Sequence, residues 1–410
     1  MKLKKSPFAP LKFPKLPAVP GVMVSACTAG IKNNSQLDLM LMVFRPETIA
    51  AGVMTKSSIT GAPVDWNRRV LGTHNSRALI VNSGNANVFT GSKGTETVTK
   101  TAEKVADVIG CNPNSVFVCS TGTIGEHLDS KKIVDNIDNL YQTLDTNNWL
   151  KAATAILTTD TYPKGSSRIT TIDGNEIKIV GIAKGSGMIA PNMATMLAYI
   201  VTDAKIPQKM AQILVEEGVS KTFNCITVDS DTSTSDSLFL FSTGATDHPT
   251  IHDIDDPAIA GFRSALNEVL LDLAHQVIKD GEGAQKFIEV RVEEALNNGA
   301  ARNIALTVCN SPLVKTAVAG EDPNWGRIVM AIGKSGEESI QNQISVYIGG
   351  TLIAHNGEVA KHYREGPVKK HMAGRNIKIN IKVGVGNGSA TVWGCDLTHA
   401  YIDINADYRS

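Results

Sequence analysis

Short apolar runs broken by glycine, proline and asparagine fill the chain from Gly21 to about Val81. The runs Leu39 to Phe44 and Ala78 to Val81 are typical of buried strands bounded by turns. Apolar residues then recur at helical spacing from Thr97 to Ile109, and Gly110 follows as a helix stop signal. The pattern predicts a helix that packs on a sheet.

The rest of the chain mixes the same two kinds of element. From Phe262 to Val277 apolar residues recur at steps of three and four, which predicts a core-facing helix ending near Gly281. The segments Lys286 to Val292, Gln343 to Ile348 and Asn376 to Val383 alternate polar and apolar residues, as half-buried strands do. With no internal repeat visible, we expect a layered α/β (α+β) sandwich.

Length and charge narrow the kind of partner. At 410 residues the chain exceeds the usual size of one hydrophobic core, so two lobes or one large layered body are expected. Forty basic residues balance forty acidic ones, which removes the electrostatic reason to expect nucleic acid or an anionic membrane as partner. No continuous apolar run approaches the length of a membrane span. A small-molecule substrate is the default expectation.

Neither a metal nor a nucleotide cofactor is expected. The six cysteines form no C-x-x-C pair, which indicates neither a zinc site nor a disulfide scaffold and fits a reducing, cytoplasmic location. The nine histidines are dispersed, and the glycine-rich stretches do not form a G-x-G-x-x-G motif between a strand and a helix. Prolines interrupt the basic amino terminus, so it does not resemble the apolar core of a signal peptide.

The most informative stretch is KGSGMIAPNMATMLAYIVTDA, residues 184 to 204, where a glycine-rich lead-in and a proline precede Ala194-Thr195. A threonine that begins a strand after a cleaved bond carries a hydroxyl nucleophile and a new α-amino base on one residue. Such an amine has a reference pKa of about 7.7 to 8.0, so its free base is available near neutral pH. The same hydroxyl could first attack the Ala194 carbonyl, and cleavage would create the catalyst. Alone, an Ala-Thr pair is far more often an ordinary loop-to-strand junction than a processing site, because short matches arise easily by chance.

The block KGSGMIAPNMATML resembles the signature around the processing site of ornithine acetyltransferases almost residue for residue. Further blocks follow in family order along essentially the whole chain, and the longer ones are highly specific. They are AGIK (29–32), VNSGNAN (81–87), STGTIGE (120–126), TTDTYPK (158–164), TVDSDTSTSD (227–236), DGEGAQK (280–286), SPLVKTAVAGEDPNWGRI (311–328) and INADYRS (404–410). The chain is identified as a member of this family.

The resemblance implies self-cleavage into an α chain of residues 1–194 and a β chain of residues 195–410 that includes a carboxyl-terminal α/β lobe. It implies a ping-pong reaction in which Thr195 carries the acetyl group from N-acetylornithine to glutamate, within arginine biosynthesis. Acetyl-CoA as a second donor is left open, and no cofactor is implied. The implied fold is a layered αββα sandwich resembling the Ntn hydrolases but connected differently. The implied assembly is a heterotetramer of two α and two β chains, or larger.

The resemblance also assigns the site. Thr121 and Gly122 match the oxyanion hole, and cleavage falls between Ala194 and Thr195. The implied substrate contacts are Thr158, Lys184, Thr195, Glu282, Asn405 and Ser410. An ammonium and a carboxylate suit a charged amino-acid substrate, although which group pairs with which is left open. Thr123 departs from the valine more common in the family, and its hydroxyl could alter hydrogen bonding near the acetyl oxygen.

The sequence leaves two other hypotheses about function open. A hydrolase or aminopeptidase of a related self-processing fold would pass the acyl group to water, but the charged pair Lys184 and Glu282 argues against it. A binding or regulatory paralogue would keep the Ala194-Thr195 bond intact, and the complete processing block disfavours that reading.

Overall fold

The structure is a computed structural model that describes residues 4–32, 35–190, 196–251 and 253–406. The strands are β1 (Val22–Cys27), β2 (Leu39–Phe44), β3 (Ile49–Met54), β4 (Ala78–Asn85), β5 (Val116–Thr123), β6 (Lys164–Ile172), β7 (Asn175–Lys184), β8 (Leu197–Thr202), β9 (Ile226–Thr227), β10 (Ser237–Ser242), β11 (Phe287–Ala295), β12 (Ser345–Ile348), β13 (Thr351–His355), β14 (Glu358–Val359), β15 (Asn376–Lys382) and β16 (Gly388–Cys395). The helices are α1 (Ala62–Val70), α2 (Gly91–Ile109), α3 (Ser130–Val134), α4 (Ile137–Gln142), α5 (Trp149–Ala155), α6 (Gln208–Lys221), α7 (Pro257–Lys279), α8 (Asn298–Cys309), α9 (Pro312–Ala319), α10 (Trp325–Gly333), α11 (Glu365–Met372) and α12 (His399–Ala406).

The strands form three sheets. Sheet one has the order β1-β2-β4-β5, sheet two β3-β10-β8-β7-β6, and sheet three β14-β13-β12-β15-β11-β16-β9. Sheets one and two pack face to face, and aromatic rings meet between them: Phe117 lies 5.1 Å from Phe239, and Phe44 stacks on Phe241 at 4.4 Å. Because side chains alternate along a strand, the other face of sheet two is free to pack on helices.

The alternation in β7 and β8 shows how the layers are built. Ile182 and Tyr199 belong to the apolar cluster shared with sheet one, whereas Ile179 and Ile200 belong to a second cluster with α6, α7 and sheet three. Helices α1 and α2 pack against β5 of sheet one. The layers are therefore helices, sheet one, sheet two and helices, with sheet three beyond. This confirms the predicted mixed α/β fold with an αββα sandwich.

Amide side chains from the helices close three sheet edges. Gln212 of α6 bonds both the N–H and the carbonyl of Gly52 on edge strand β3, and Gln276 of α7 does the same for Gly165 on edge strand β6. Asn67 of α1 bonds both backbone groups of Val118 on β5. Each amide imitates a neighbouring strand, so polar groups that would otherwise be buried unpaired are satisfied.

Most predicted elements are present, with shifted ends. The predicted helix from Thr97 begins earlier, at Gly91, and stops as expected at Gly110, whose φ of 67° is left-handed. The first residues of the STGTIGE block, Ser120 to Thr123, belong to strand β5 and pair in parallel with the end of β4. No helix within the described ranges is long and apolar enough to cross a membrane.

Candidate active site

A cavity of about 270 Å³ lies where the ends of β5 and β7 meet the turn after α7 and the helix α12. Six of the residues predicted for the site line it together, although they come from distant parts of the chain: Thr121, Gly122, Thr158, Lys184, Glu282 and Asn405. The predicted residues Ala194, Thr195 and Ser410 lie outside the described residues. Thr123, the departure from the family pattern, also lines the cavity.

Gly122 sits at a close approach between two strands. Its φ is 135°, and a Cβ at this position would lie 2.3 Å from the carbonyl carbon of Gly84 on neighbouring β4. Only glycine fits both constraints, because other residues rarely adopt this backbone conformation and would collide with backbone atoms. The glycine thus allows β4 and β5 to converge at the cavity wall, beside the Thr121 side chain.

Lys184 ends β7 as a buried lysine, with only 3% of its surface exposed. Its ammonium donates hydrogen bonds to the hydroxyls of Thr121, at 3.1 Å, and Thr158, at 2.9 Å. It forms no ion pair with any carboxylate in the described part of the chain. Burial lowers the pKa of Lys184, although the negative charge of Asp160 partly opposes the shift. The lysine joins two candidate site residues directly.

Asp160 holds the backbone around Lys184 and Thr158. One carboxylate oxygen accepts the N–H of Gly185 at 2.7 Å, and the other accepts the N–H of Thr158 at 3.1 Å. Lys164 donates to Asp160 at 2.6 Å and also pairs with Asp280 at 2.6 Å. Burial alone would raise the pKa of Asp160, but the charges of Lys164 and Lys184 outweigh it and hold the pKa below its usual range.

Glu282 lies in the turn after α7 and is almost fully buried, with 7% exposure. The side-chain amide of Asn405 in α12 donates to its carboxylate at 2.8 Å. The carboxylate packs tightly against Gly187, where an added Cβ would lie 2.4 Å from a Glu282 oxygen. The carboxylate and amide predicted as substrate contacts are therefore directly bonded to each other.

Two aspartates of the TVDSDTSTSD block bind the backbone on either side of residues 191–195. Asp229 accepts hydrogen bonds from the N–H groups of Met188, at 2.6 Å, and Ile189, at 2.9 Å. Asp236 accepts the N–H of Met196 at 2.8 Å. Burial raises the pKa of Asp236 well above its usual value, although the hydrogen bond from Met196 and the charge of Lys184 oppose the shift. The block therefore fixes both flanks of the predicted cleavage junction.

The register of sheet two brings the described end of this junction to the cavity. Leu197, the first residue of β8, pairs with Lys184 on one side and with Ser237 on the other. Ser233, Thr234 and Ser235, just before β10, line the cavity. The described start of β8 therefore lies between β7 and β10, beside the residues that line this edge of the cavity.

Sequence reasoning did not assign roles to Asp160, Asp229 and Asp236. All three occur in the polar blocks TTDTYPK and TVDSDTSTSD, which were recognised without a function. Aspartates surrounded by Thr and Ser are a weak signal for buried acceptors of backbone N–H groups. That signal could have identified these positions as structural partners of the site, but not the amides they bind.

Comparison with known proteins gives one consistent result. The model of the ArgJ family matches residues 23–410. An arginine biosynthesis bifunctional protein ArgJ from Gluconobacter oxydans is 52% identical over 99% of this chain and 96% of its own. A crystal structure of the ArgJ protein of Bacillus halodurans is 39% identical, covers 51% of this chain and 98% of its own, and has a TM-score of 0.49. The structure of an ornithine acetyltransferase from Mycobacterium tuberculosis in complex with ornithine is 33% identical in sequence. It covers 42% of this chain and 93% of its own, with a TM-score of 0.37.

Proposed function

Because this chain belongs to the ArgJ family, we propose that it is a glutamate N-acetyltransferase that moves an acetyl group from N-acetylornithine to glutamate. The products are ornithine and N-acetylglutamate, as expected for a bifunctional protein of arginine biosynthesis. The observation that carries the proposal is that Thr121, Gly122, Thr158, Lys184, Glu282 and Asn405 line one cavity. Acetyl-CoA as a second acetyl donor is part of the same proposal, because the Gluconobacter oxydans relative is named as a bifunctional protein.

The proposed nucleophile is the hydroxyl of Thr195, freed by cleavage of the Ala194-Thr195 bond. In cleavage, the hydroxyl oxygen bonds to the Ala194 carbonyl carbon, the amide C–N bond breaks, and the nitrogen takes the proton. Water then hydrolyses the ester and leaves Ala194 with a carboxylate and Thr195 with a free amine. That amine is the proposed general base of the next step, because α-amino groups have a reference pKa of about 7.7 to 8.0.

Acetyl transfer follows in two halves. The Thr195 oxygen attacks the acetyl carbonyl of N-acetylornithine, the C–N bond breaks, and ornithine leaves after taking a proton on its nitrogen. The α-amine of glutamate then attacks the acetyl ester, N-acetylglutamate leaves, and the hydroxyl is restored. In each attack the carbonyl oxygen gains negative charge, and donors at Thr121 and Gly122 stabilise it. One such donor contributes roughly 3 to 4 kcal/mol.

The charged groups of the cavity suit substrates that are amino acids. Lys184 offers an ammonium for a carboxylate, and Glu282, held by Asn405, offers a carboxylate for an ammonium. Both are buried, where electrostatic interactions are less screened than in water. N-acetylornithine carries both a carboxylate and a side-chain ammonium, whereas glutamate brings a second carboxylate. The Ser410 position is proposed as a further contact.

The test is the intact mass of the purified protein beside a Thr195→Ala variant. Cleavage at Ala194-Thr195 divides the 43.7 kDa chain into pieces of roughly 21 and 23 kDa. We expect both pieces from the natural chain, an uncut variant, and transfer of labelled acetyl from N-acetylornithine to glutamate by the natural protein alone. An uncut natural chain, or release of acetate in place of N-acetylglutamate, would contradict the proposal.

A further inference from the structure

The Lys184 ammonium is placed between two hydroxyls of the cavity, not against a carboxylate. Its Nζ lies 3.1 Å from Oγ1 of Thr121 and 2.9 Å from Oγ1 of Thr158. Each of these two hydroxyls has Lys184 as its single hydrogen-bond partner in the described ranges. A buried lysine that donates two hydrogen bonds to neutral hydroxyls is not explained by pairing with an opposite charge.

The chemistry of the groups fixes the direction of these bonds. An ammonium has three donors and no acceptor, so both hydroxyl oxygens must accept. The hydrogen of each hydroxyl therefore points away from Lys184, and both side chains line the cavity. The lysine thus turns Thr121 and Thr158 into donors toward whatever occupies the cavity, and its third N–H has no partner among the described residues.

We propose that Lys184 is the positioning residue of the oxyanion site, acting through the Thr121 hydroxyl. This inference rests on the proposed function and adds a role to the substrate contact expected of Lys184. When the acetyl carbonyl oxygen gains negative charge, it needs a donor that is already oriented. Thr121 supplies that donor because Lys184 occupies its oxygen. The positive charge behind the hydroxyl also polarises its O–H bond, which strengthens the bond to the oxyanion.

The surroundings of Lys184 hold this arrangement in place. Asp160 accepts the N–H of Thr158 and the N–H of Gly185, so one carboxylate fixes the backbone on both sides of the Lys184–Thr158 bond. Asp160 also pairs with the fully buried Lys164, which contacts Asp280 as well. Lys184 is therefore left with its donors for the hydroxyls, while the backbone that carries it is held by the buried ion pair.

The experiment is a double-mutant cycle in the full chain with Lys184→Met, Thr121→Val and both changes together. If the lysine acts through Thr121, each single change lowers kcat for acetyl transfer by roughly 100- to 1,000-fold, and the double variant is no slower than the slower single variant. Lys184→Arg, which keeps donors, should recover part of the loss. Lys178→Met, on the same strand and half-buried, is the matched control and should transfer acetyl at the natural rate.

Mass spectrometry and circular dichroism first establish whether each variant is cleaved and folded. If all four proteins are cleaved, the cycle is measured in kcat; if any variant is cleaved slowly, the cycle is measured for all four proteins in the rate constant of self-cleavage. The inference would be overturned if the two single effects on kcat multiply in the double variant, or if Lys184→Met changes only KM. It would also be overturned if Lys184→Met stays uncut while Thr121→Val is cleaved. A natural chain that transfers no acetyl would instead contradict the proposed function.

Discussion

The carboxylate of Asp236 accepts a hydrogen bond from the backbone N–H of Met196 at 2.8 Å, one residue after the predicted nucleophile. Asp236 itself is fully buried. The start of β8 is thereby held from the β10 side, where the cavity also begins.

We predict that Asp236→Ala slows self-cleavage by at least tenfold. Removal of the acceptor leaves the Met196 N–H buried and unpaired, which costs roughly 1 to 3 kcal/mol and loosens the flank of the scissile bond. The measurement is the rate at which purified precursor converts to two pieces, followed by mass. Asp231→Ala, an exposed position of the same block, is the control and should cleave at the natural rate. Equal rates for all three proteins would show that this contact does not affect cleavage.

Gly187→Ala should weaken substrate binding. The new methyl group would lie 2.4 Å from a Glu282 oxygen, so the carboxylate must move from its bond with Asn405. We expect KM for N-acetylornithine to rise roughly tenfold, equivalent to about 1.4 kcal/mol. Gly333→Ala in α10 is a suitable control because, apart from the backbone of its own helix and its chain neighbours, no described atom lies within 4 Å of the added carbon. A KM unchanged by Gly187→Ala would mean that Glu282 does not bind the substrate.

Lys164→Met should destabilise the fold strongly. The change leaves the carboxylates of Asp160 and Asp280 buried without the cation that both contact at 2.6 Å. Breaking a buried ion pair in this way costs about 3 to 5 kcal/mol. Urea denaturation measures the loss. Lys100→Met removes an exposed pair with Glu96 and should leave the midpoint almost unchanged, since surface pairs contribute little. Similar midpoints for the two variants would contradict the prediction.

His275 should make the fold sensitive to acid. Its ring packs edge-on against Phe287 and Trp393, at 5.2 and 4.7 Å between centroids, and burial lowers its pKa to about 4, assisted by Lys279 and opposed by Asp272. The unfolded chain binds a proton below about pH 6.5 while the folded chain does not, so the free energy of unfolding falls from there down to about pH 4. The total loss is on the order of 3 kcal/mol.

The variant His275→Phe keeps an aromatic ring and should remove this part of the pH dependence. Urea denaturation between pH 4 and 7, as a series at roughly half-unit steps, measures the slope. His362→Gln, at an exposed position, is the control and should keep the natural slope. A His275→Phe protein whose stability falls with acid as steeply as that of the natural chain would assign the effect to other groups.

Local periodicity predicted the elements whose burial is one-sided. Helix α7 follows its three-and-four spacing, and β15 follows its strict alternation. The β6–β7 hairpin was not predicted, although Asp173-Gly174 forms its turn with φ of 48° and 78°, the values a two-residue hairpin turn requires. The sequence carried that signal, but the flanking strands mix polar and apolar residues and hid it.

The residues of the site also fall into two groups: those that local sequence blocks predicted, and those whose roles depend on partners distant in the chain. Family blocks predicted the six cavity residues in the described ranges because each block keeps its own residue types together. Asp160, Asp229 and Asp236 escaped because their partners lie elsewhere in the chain: the Gly185, Met188 and Met196 amides are 25, 41 and 40 residues away. A hydrogen bond across such a separation depends on how the sheets pack, which no local pattern encodes.

The strand order of sheet two determines whether the two pieces of the chain could separate after cleavage. Strands β6, β7 and β3 precede the predicted cut, while β8 and β10 follow it, and β8 lies between β7 and β10. If the chain is cleaved there, both pieces would contribute strands to this one sheet, with β8 paired to β7 and β10 paired to β3. An affinity tag on either piece should retain both through any wash short of a denaturant, and neither gene half expressed alone should give soluble protein. The two pieces would therefore stay associated after cleavage through hydrogen bonds and buried surface, without a covalent link.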